Sequence, residues 1–196
     1  MGEIKSAHEI AMAKIGELGE ATDEERLGWK YVPEGEQLAG KYLKKDCNLV
    51  AEIDRYEEKV KKYITRGAAG VLIRNIGLPV DDRAKKNNKR AMDGLKALKS
   101  DKVGVGNVYN KIRGIFNHYA EQGEQQRQQS YASLKAEFEV KVREALQQQL
   151  GSPIGIDIDV ESQPQFQEEW HRLKIQLDAQ YLRLLEEYKQ ELSGIS

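Results

Sequence analysis

The chain has a single cysteine, Cys47, so no intrachain disulfide can staple its fold, and nothing points to an oxidising compartment. Placed in a predicted helix, Cys47 reads as a half-buried core thiol. Histidine is nearly as scarce. His8, His118 and His171 fall on three different predicted helices, too few for most acid–base or metal constellations. Proline occurs four times in 196 residues, aromatics are 7%, and mean hydropathy is low. No apolar stretch approaches the roughly 20 residues that a membrane-spanning helix needs. The first ten residues, MGEIKSAHEI, carry acidic side chains and no apolar core, so they do not read as a signal peptide. Gly2 followed by Ser6 matches a myristoylation pattern only superficially. A soluble cytoplasmic protein is expected. Catalytic signatures are missing as well. There is no Gly-x-Ser-x-Gly, no phosphate loop and no cysteine cluster, and Gly104-Val105-Gly106-Asn107 lacks the glycine spacing of a dinucleotide fingerprint.

Glu, Lys, Ala, Leu, Gln and Arg dominate, and 32% of the chain is charged. This is the composition of long helices. Apolar residues crowd together in one place, Ala68, Ala69, Val71, Leu72, Ile73, Ile76, Leu78 and Val80. They fall on every side of a helical wheel, and a helix apolar all round wants burial on all sides. The expectation is an all-α fold: long amphipathic helices in an antiparallel bundle or hairpin around a short central apolar helix at 67–78. Gly77 would cap that helix and Pro79 would stop it.

Along the chain, Ser6 with Glu9 and Thr22 with Glu25 form capping boxes. The first opens a helix through Ile10 and Leu18, and the second a short helix that Pro33 should end. Leu38, Tyr42, Leu49, Ile53, Tyr56, Val60 and Tyr63 recur at three, four or seven, which predicts one long helix over 36–66 with Gly67 as its break. Asp81-Asp82 can cap the next helix. Val103–Gly106 reads as a flexible or extended connector, with Asn107 capping a helix that continues to Leu150. Ala120–Ser130 has no large apolar residue and contains Gly123, yet its glutamines and glutamates favour helical continuity. Ile154, Ile156, Ile158 and Val160 alternate with polar or small residues, the only strand-like period in the chain, and an extended segment is expected at 154–160. Ser162 and Gln165 can open the last helix, over 163–192. Its apolar face carries Phe166, Trp170, Leu173, Leu177, Tyr181, Leu184, Leu185, Tyr188 and Leu192. The organisation expected is an N-terminal helical region at 1–106 and a C-terminal helical hairpin at 107–196.

Charge is unevenly spread. Residues 1–40 carry 4 basic and 9 acidic side chains, 41–80 carry 9 and 5, 81–113 carry 10 and 4, and 114–196 carry 8 and 14. The plain reading of this basic middle is that acidic ends neutralise it. The sharper one is a face for an anionic partner, with Lys85, Lys86, Lys89, Arg90 and Lys96 as candidates. No aromatic residue interleaves these lysines to stack on bases. Glu168 and His171 stand at the Glu-x-x-His spacing of di-iron bundles, but such sites need a second motif and two more glutamates. The function expected is that of a non-enzymatic helical interaction or scaffold protein. It would form a homo-oligomer, most simply a dimer, with no cofactor and with a further protein partner possible. Phe166, Trp170, Leu173 and Leu177 are the expected interface, or else the core of a single hairpin. The competing expectations are a nucleic-acid-associated protein using the basic 83–113 region and a metal-binding bundle around Glu168 and His171.

Overall fold

The computed structural model describes residues 22–44, 47–150 and 159–196, and among them every regular element is helical and no strand occurs. The all-α class read from composition and periodicity is the class observed. The chain divides into two compact units, Met1–Leu72 and Ile73–Ser196. The helices are α1 (Asp23–Leu43), α2 (Leu49–Asp54), α3 (Glu58–Arg74), α4 (Asp82–Leu98), α5 (Lys102–His118), a π-helical turn (Tyr119–Gly123), α6 (Glu124–Leu150) and α7 (Pro164–Gly194). The expected boundary at 106/107 is a different cut, one that falls inside α5.

In the first unit, α1 opens on the expected capping box. The Glu25 N–H donates to Thr22 Oγ1 at 3.3 Å and the Thr22 N–H donates to Glu25 Oε2 at 2.8 Å. Pro33, however, does not end the helix, which continues to Leu43. Proline removes one N–H and leaves the Trp29 carbonyl without the donor four residues on. Close packing against α3 offsets that loss. A Cβ on Gly35 would stand 2.0 Å from the Ile64 carbonyl oxygen, and one on Gly67 would stand 2.1 Å from that of Val32. The two backbones therefore touch, and only glycine fits. Gly67 is a contact point within α3 rather than the break expected of it.

The single helix expected over 36–66 is three pieces. Asn48 intervenes as the cap of α2, accepting from the Ala51 N–H at 3.3 Å, and α3 starts at Glu58. The apolar period survives the breaks, since Leu38, Leu49, Ile53, Val60, Tyr63 and Ile64 are all buried. A three–four spacing tells which residues face a core, and a broken helix that folds back satisfies it as well as a straight one. The short central helix expected at 67–78 is likewise corrected. Its first part is the C-terminal half of α3, which stops at Arg74. Its burial is as expected: Ala68, Leu72 and Ile76 are fully buried, Ala69, Ile73 and Leu78 nearly so, and only Val80 is largely exposed.

In the second unit, buried Asn88 holds the chain after α3. The Gly77 N–H donates to Asn88 Oδ1 at 2.9 Å, and Asn88 Nδ2 donates to the Gly77 carbonyl at 2.7 Å. Neighbouring Asn87 donates to the Asn75 carbonyl at 3.1 Å. The amide thus satisfies a backbone segment that has no ladder of its own. Asp81 caps α4 through the Ala84 N–H at 2.6 Å. Asp101, not Asn107, caps α5, accepting from the Gly104 N–H at 2.8 Å. Val103–Gly106 is therefore the first turn of a helix and not the flexible or extended connector expected.

From Lys102 to Leu150 the chain is helical throughout, with the π turn where Gly123 lies. Helix α7 runs back along this rod. Phe138 and Tyr131 meet Phe166 at ring centroids of 5.4 and 5.5 Å, Tyr119 meets Tyr181 at 5.1 Å, Lys111 reaches Glu191 at 2.9 Å, and Lys99 donates to the Ile195 carbonyl. Positions fall along one helix as they rise along the other, so the two are antiparallel. The N-cap of α7 is Gln163 with Pro164 in the first turn. Ser162 instead donates its hydroxyl to the Asp159 carbonyl at 3.1 Å. Ile154–Ile158 and the expected elements around Ser6–Leu18, with His8, lie outside the described residues.

Candidate functional site

Helix α7 carries apolar side chains on two opposite sides. On the inner side Phe166, Leu185 and Leu192 are buried, and Trp170, Leu173, Leu177 and Tyr181 are half-buried. At about 100° per residue, Ile175, Ala179 and Leu182 fall on the far side of the helix. Ile175 is 55% exposed and Leu182 50% exposed, with exposed Ala179 between them. Charged residues flank this stripe. Arg172 pairs with Glu168 at 2.7 Å, and Lys189 with Glu186 at 3.7 Å.

The four residues expected at an interface lie on the inner side. Phe166 stands edge-on to Tyr131 and Phe138, and Trp170 edge-on to Tyr131 at 5.0 Å. Leu177 lines a groove of about 370 Å³ with His118, Tyr181 and Leu184. Sequence periodicity groups these residues correctly on one face but passes over Ile175 and Leu182. Their four–three spacing through Ala179 was the available signal, and alanine made it faint.

Of the five candidate cations on α4, Lys85, Lys86, Lys89 and Lys96 are exposed and Arg90 is half-buried. The structure brings Lys85 and Lys89 together with Arg113 around a groove of about 390 Å³ between α4 and α5, where Pro79, Met92 and Phe116 supply apolar lining. Lys86, Arg90 and Lys96 do not line it. Asp93 shares the lining and Lys85 pairs with Asp82 at 3.2 Å, so its positive charge is partly offset.

The π turn is tied to α7 by a polar cluster that periodicity could not reveal. The Arg127 guanidinium lies 4.1 Å from the Tyr119 ring centroid, donates to Glu124 at 2.8 Å and to the Tyr119 carbonyl at 3.2 Å, and stands 3.6 Å from Asp178. Such turns leave carbonyls to be satisfied from outside the helical ladder, and Arg127 does so here. Burial first, and then the Asp178 carboxylate, push the Tyr119 hydroxyl above the ordinary phenol range. His118 Nδ1 lies 2.9 Å from the Tyr181 hydroxyl. A Cβ on Gly123 would come 3.1 Å from that same oxygen. The arrangement braces two helices.

The Glu168 carboxylate at the expected metal motif is engaged by Arg172, and His171 is exposed. Among the described residues no group of three or more His, Cys, Asp or Glu side chains is placed to hold a metal ion, and no helix is long and apolar enough to cross a membrane. The model of a family described as a family of unknown function, DUF6657, matches residues 50–194. No curated protein and no solved structure matches.

Proposed function

The chain belongs to that family, and we propose that it is a non-enzymatic helical interaction protein that self-associates as a dimer through the outer side of α7, in the cytoplasm. The observation that carries this reading is the solvent-facing Ile175–Ala179–Leu182 stripe, opposite the side that α7 spends on its own chain. Covering two half-exposed aliphatic side chains on each of two copies supplies about 4 kcal/mol, at about 1 kcal/mol each. One helix face is narrow, so the contact belongs with small, reversible interfaces. A dissociation constant on the order of 1 mM follows.

Short-column sedimentation equilibrium from about 50 µM to 2 mM tests the reading, the range being set by that affinity. The average mass of wild type should rise from that of one chain toward that of two across it. Ile175→Glu with Leu182→Glu should stay monomeric with an unchanged far-ultraviolet circular dichroism spectrum. A wild-type chain that remains monomeric at the upper concentration removes the proposal.

A further inference from the structure

The groove between α4 and α5 joins apolar surface to positive charge. Pro79 and Met92 are buried and Phe116 is half-buried, and all three line it beside Lys89 and Arg113. We propose that it binds a small amphiphilic anion, an alkyl monocarboxylate whose apolar body covers Met92 and Phe116 and whose charge lies between Lys89 and Arg113. The volume of about 390 Å³ falls at the small end of the range for ligand sites. It suits one short-chain molecule rather than a protein segment or a nucleic-acid strand. The groove belongs to other helices than the outer stripe of α7, so a monomeric chain should bind equally well.

Helix register brings the two cations together. The Tyr109 hydroxyl donates to the Met92 carbonyl at 2.6 Å, which sets α5 beside α4 at that level. Only three residues separate α4 from α5, so the two helices run antiparallel. Lys89 stands one turn before Met92 and Arg113 one turn after Tyr109, which puts them at one level on facing walls. Neither has a carboxylate partner among the described residues. Arg113 reaches the Asn110 side-chain oxygen at 3.4 Å, and Lys89 reaches no acceptor. Lys85, by contrast, pairs with Asp82 at 3.2 Å. Two like charges facing across a groove repel one another, the more so where apolar walls lower the local dielectric. One anionic group between them turns that repulsion into attraction. Asp93 also lines the groove, about 6 Å along α4 from Lys89, and forms an ion pair with neither cation. Its charge disfavours a dianion, so the guest carries a single negative group. An alkyl body on that guest removes the Met92 and Phe116 surface from water, which a bare inorganic anion would leave wet.

Titration of the nitrogen-15-labelled full chain with octanoate, up to about 2 mM, tests the site by amide chemical shifts. Amides of Lys85–Asp93 and Arg113–Ala120 should move together and saturate as one site per chain. Acetate, which has the charge without the tail, and octylammonium, which has the tail with the opposite charge, should each move them far less. The double variant Lys89→Gln with Arg113→Gln should weaken octanoate binding by about tenfold, the scale of two exposed charge pairs, with an unchanged circular dichroism spectrum. Lys86→Gln removes an equal charge from α4 outside the groove and should leave binding as it is. Octanoate shifts that are absent, or that centre on another part of the chain, would overturn the proposal. So would octylammonium or acetate acting as strongly as octanoate on the wild-type chain, or a double variant that binds like wild type.

Discussion

Replacing Gly35 by alanine should weaken the first unit by about 2 kcal/mol, even though alanine is the better helix former. The added Cβ would lie 2.0 Å from the Ile64 carbonyl oxygen, 2.8 Å from its carbonyl carbon and 2.9 Å from its Cα. All three are backbone atoms, so no side chain can swing aside. Relief requires α1 and α3 to separate by about 1 Å, and a gap of that size forfeits a quarter to a half of the attraction between facing atoms. Leu38, Ala39, Val60 and Ile64, all buried, share that loss. Overpacking of this severity costs about 3 kcal/mol, against about 1 kcal/mol gained from helix propensity. Gly40 lies on the same helix with nothing within 4 Å of a new Cβ. There the propensity term stands alone, and Gly40→Ala should stabilise by about 0.5–1 kcal/mol. The two variants should therefore differ by about 3 kcal/mol. Urea unfolding followed by circular dichroism measures the difference, and hydrogen exchange assigns it. Peptides from α1 and α3 should exchange faster in Gly35→Ala, and those from α6 and α7 should not. If Gly35→Ala and Gly40→Ala shift stability alike, the helices do not touch at Gly35 and the account of α1 and α3 is wrong.

Two further outcomes are expected. Asn88→Ala leaves the Gly77 N–H and carbonyl without their partner at 2.9 and 2.7 Å, and should cost about 2–4 kcal/mol in urea unfolding because buried polar groups lose their bonds. An Asn88→Ala chain as stable as wild type would show that water reaches Gly77 freely. The fold should also lose stability in acid through its capping and paired carboxylates. The Thr22 backbone N–H, and then its hydroxyl, hold the Glu25 carboxyl below the ordinary range, as Lys62 does for Glu24 and Arg127 for Glu124. A depressed folded-state pKa gives stability that is present above the unfolded value of about 4.3 and lost as pH falls through the folded one. Glu25→Gln keeps an oxygen for the Thr22 N–H but no longer titrates. Its stability should fall less steeply between about pH 5 and pH 3 than that of wild type, and an equal slope in urea titrations would refute the assignment.

Much of the burial pattern was readable before any coordinates. Leu72 and Ile76 are inaccessible, as the all-round apolar character of 67–78 requires, and Phe166 is buried on the α7 face that its spacing marks. Thr22 and Asp81 cap helices because a side-chain oxygen bonds a free N–H within one turn, which is local chemistry. The misreadings share a different cause. Pro33 and Gly67 are breakers by intrinsic preference, yet both lie inside helices. Gly67 seats α1 against α3, a contact that single-chain propensity cannot see.

Composition and short-range periodicity were enough to determine the helical class, several of the caps and most of the residues that leave water. Those properties depend on neighbours within about one turn of the chain. Where helices begin and end, where the rod takes a π turn, and which side of α7 stays in solvent were decided by the tertiary structure. Each depends on atoms brought together from positions far apart: Gly35 on Ile64, Asn88 on Gly77, Tyr119 on Asp178. A backbone contact or a single amide clamp outweighs a propensity of about 1 kcal/mol, and no spacing rule along the chain encodes which distant residue will supply it.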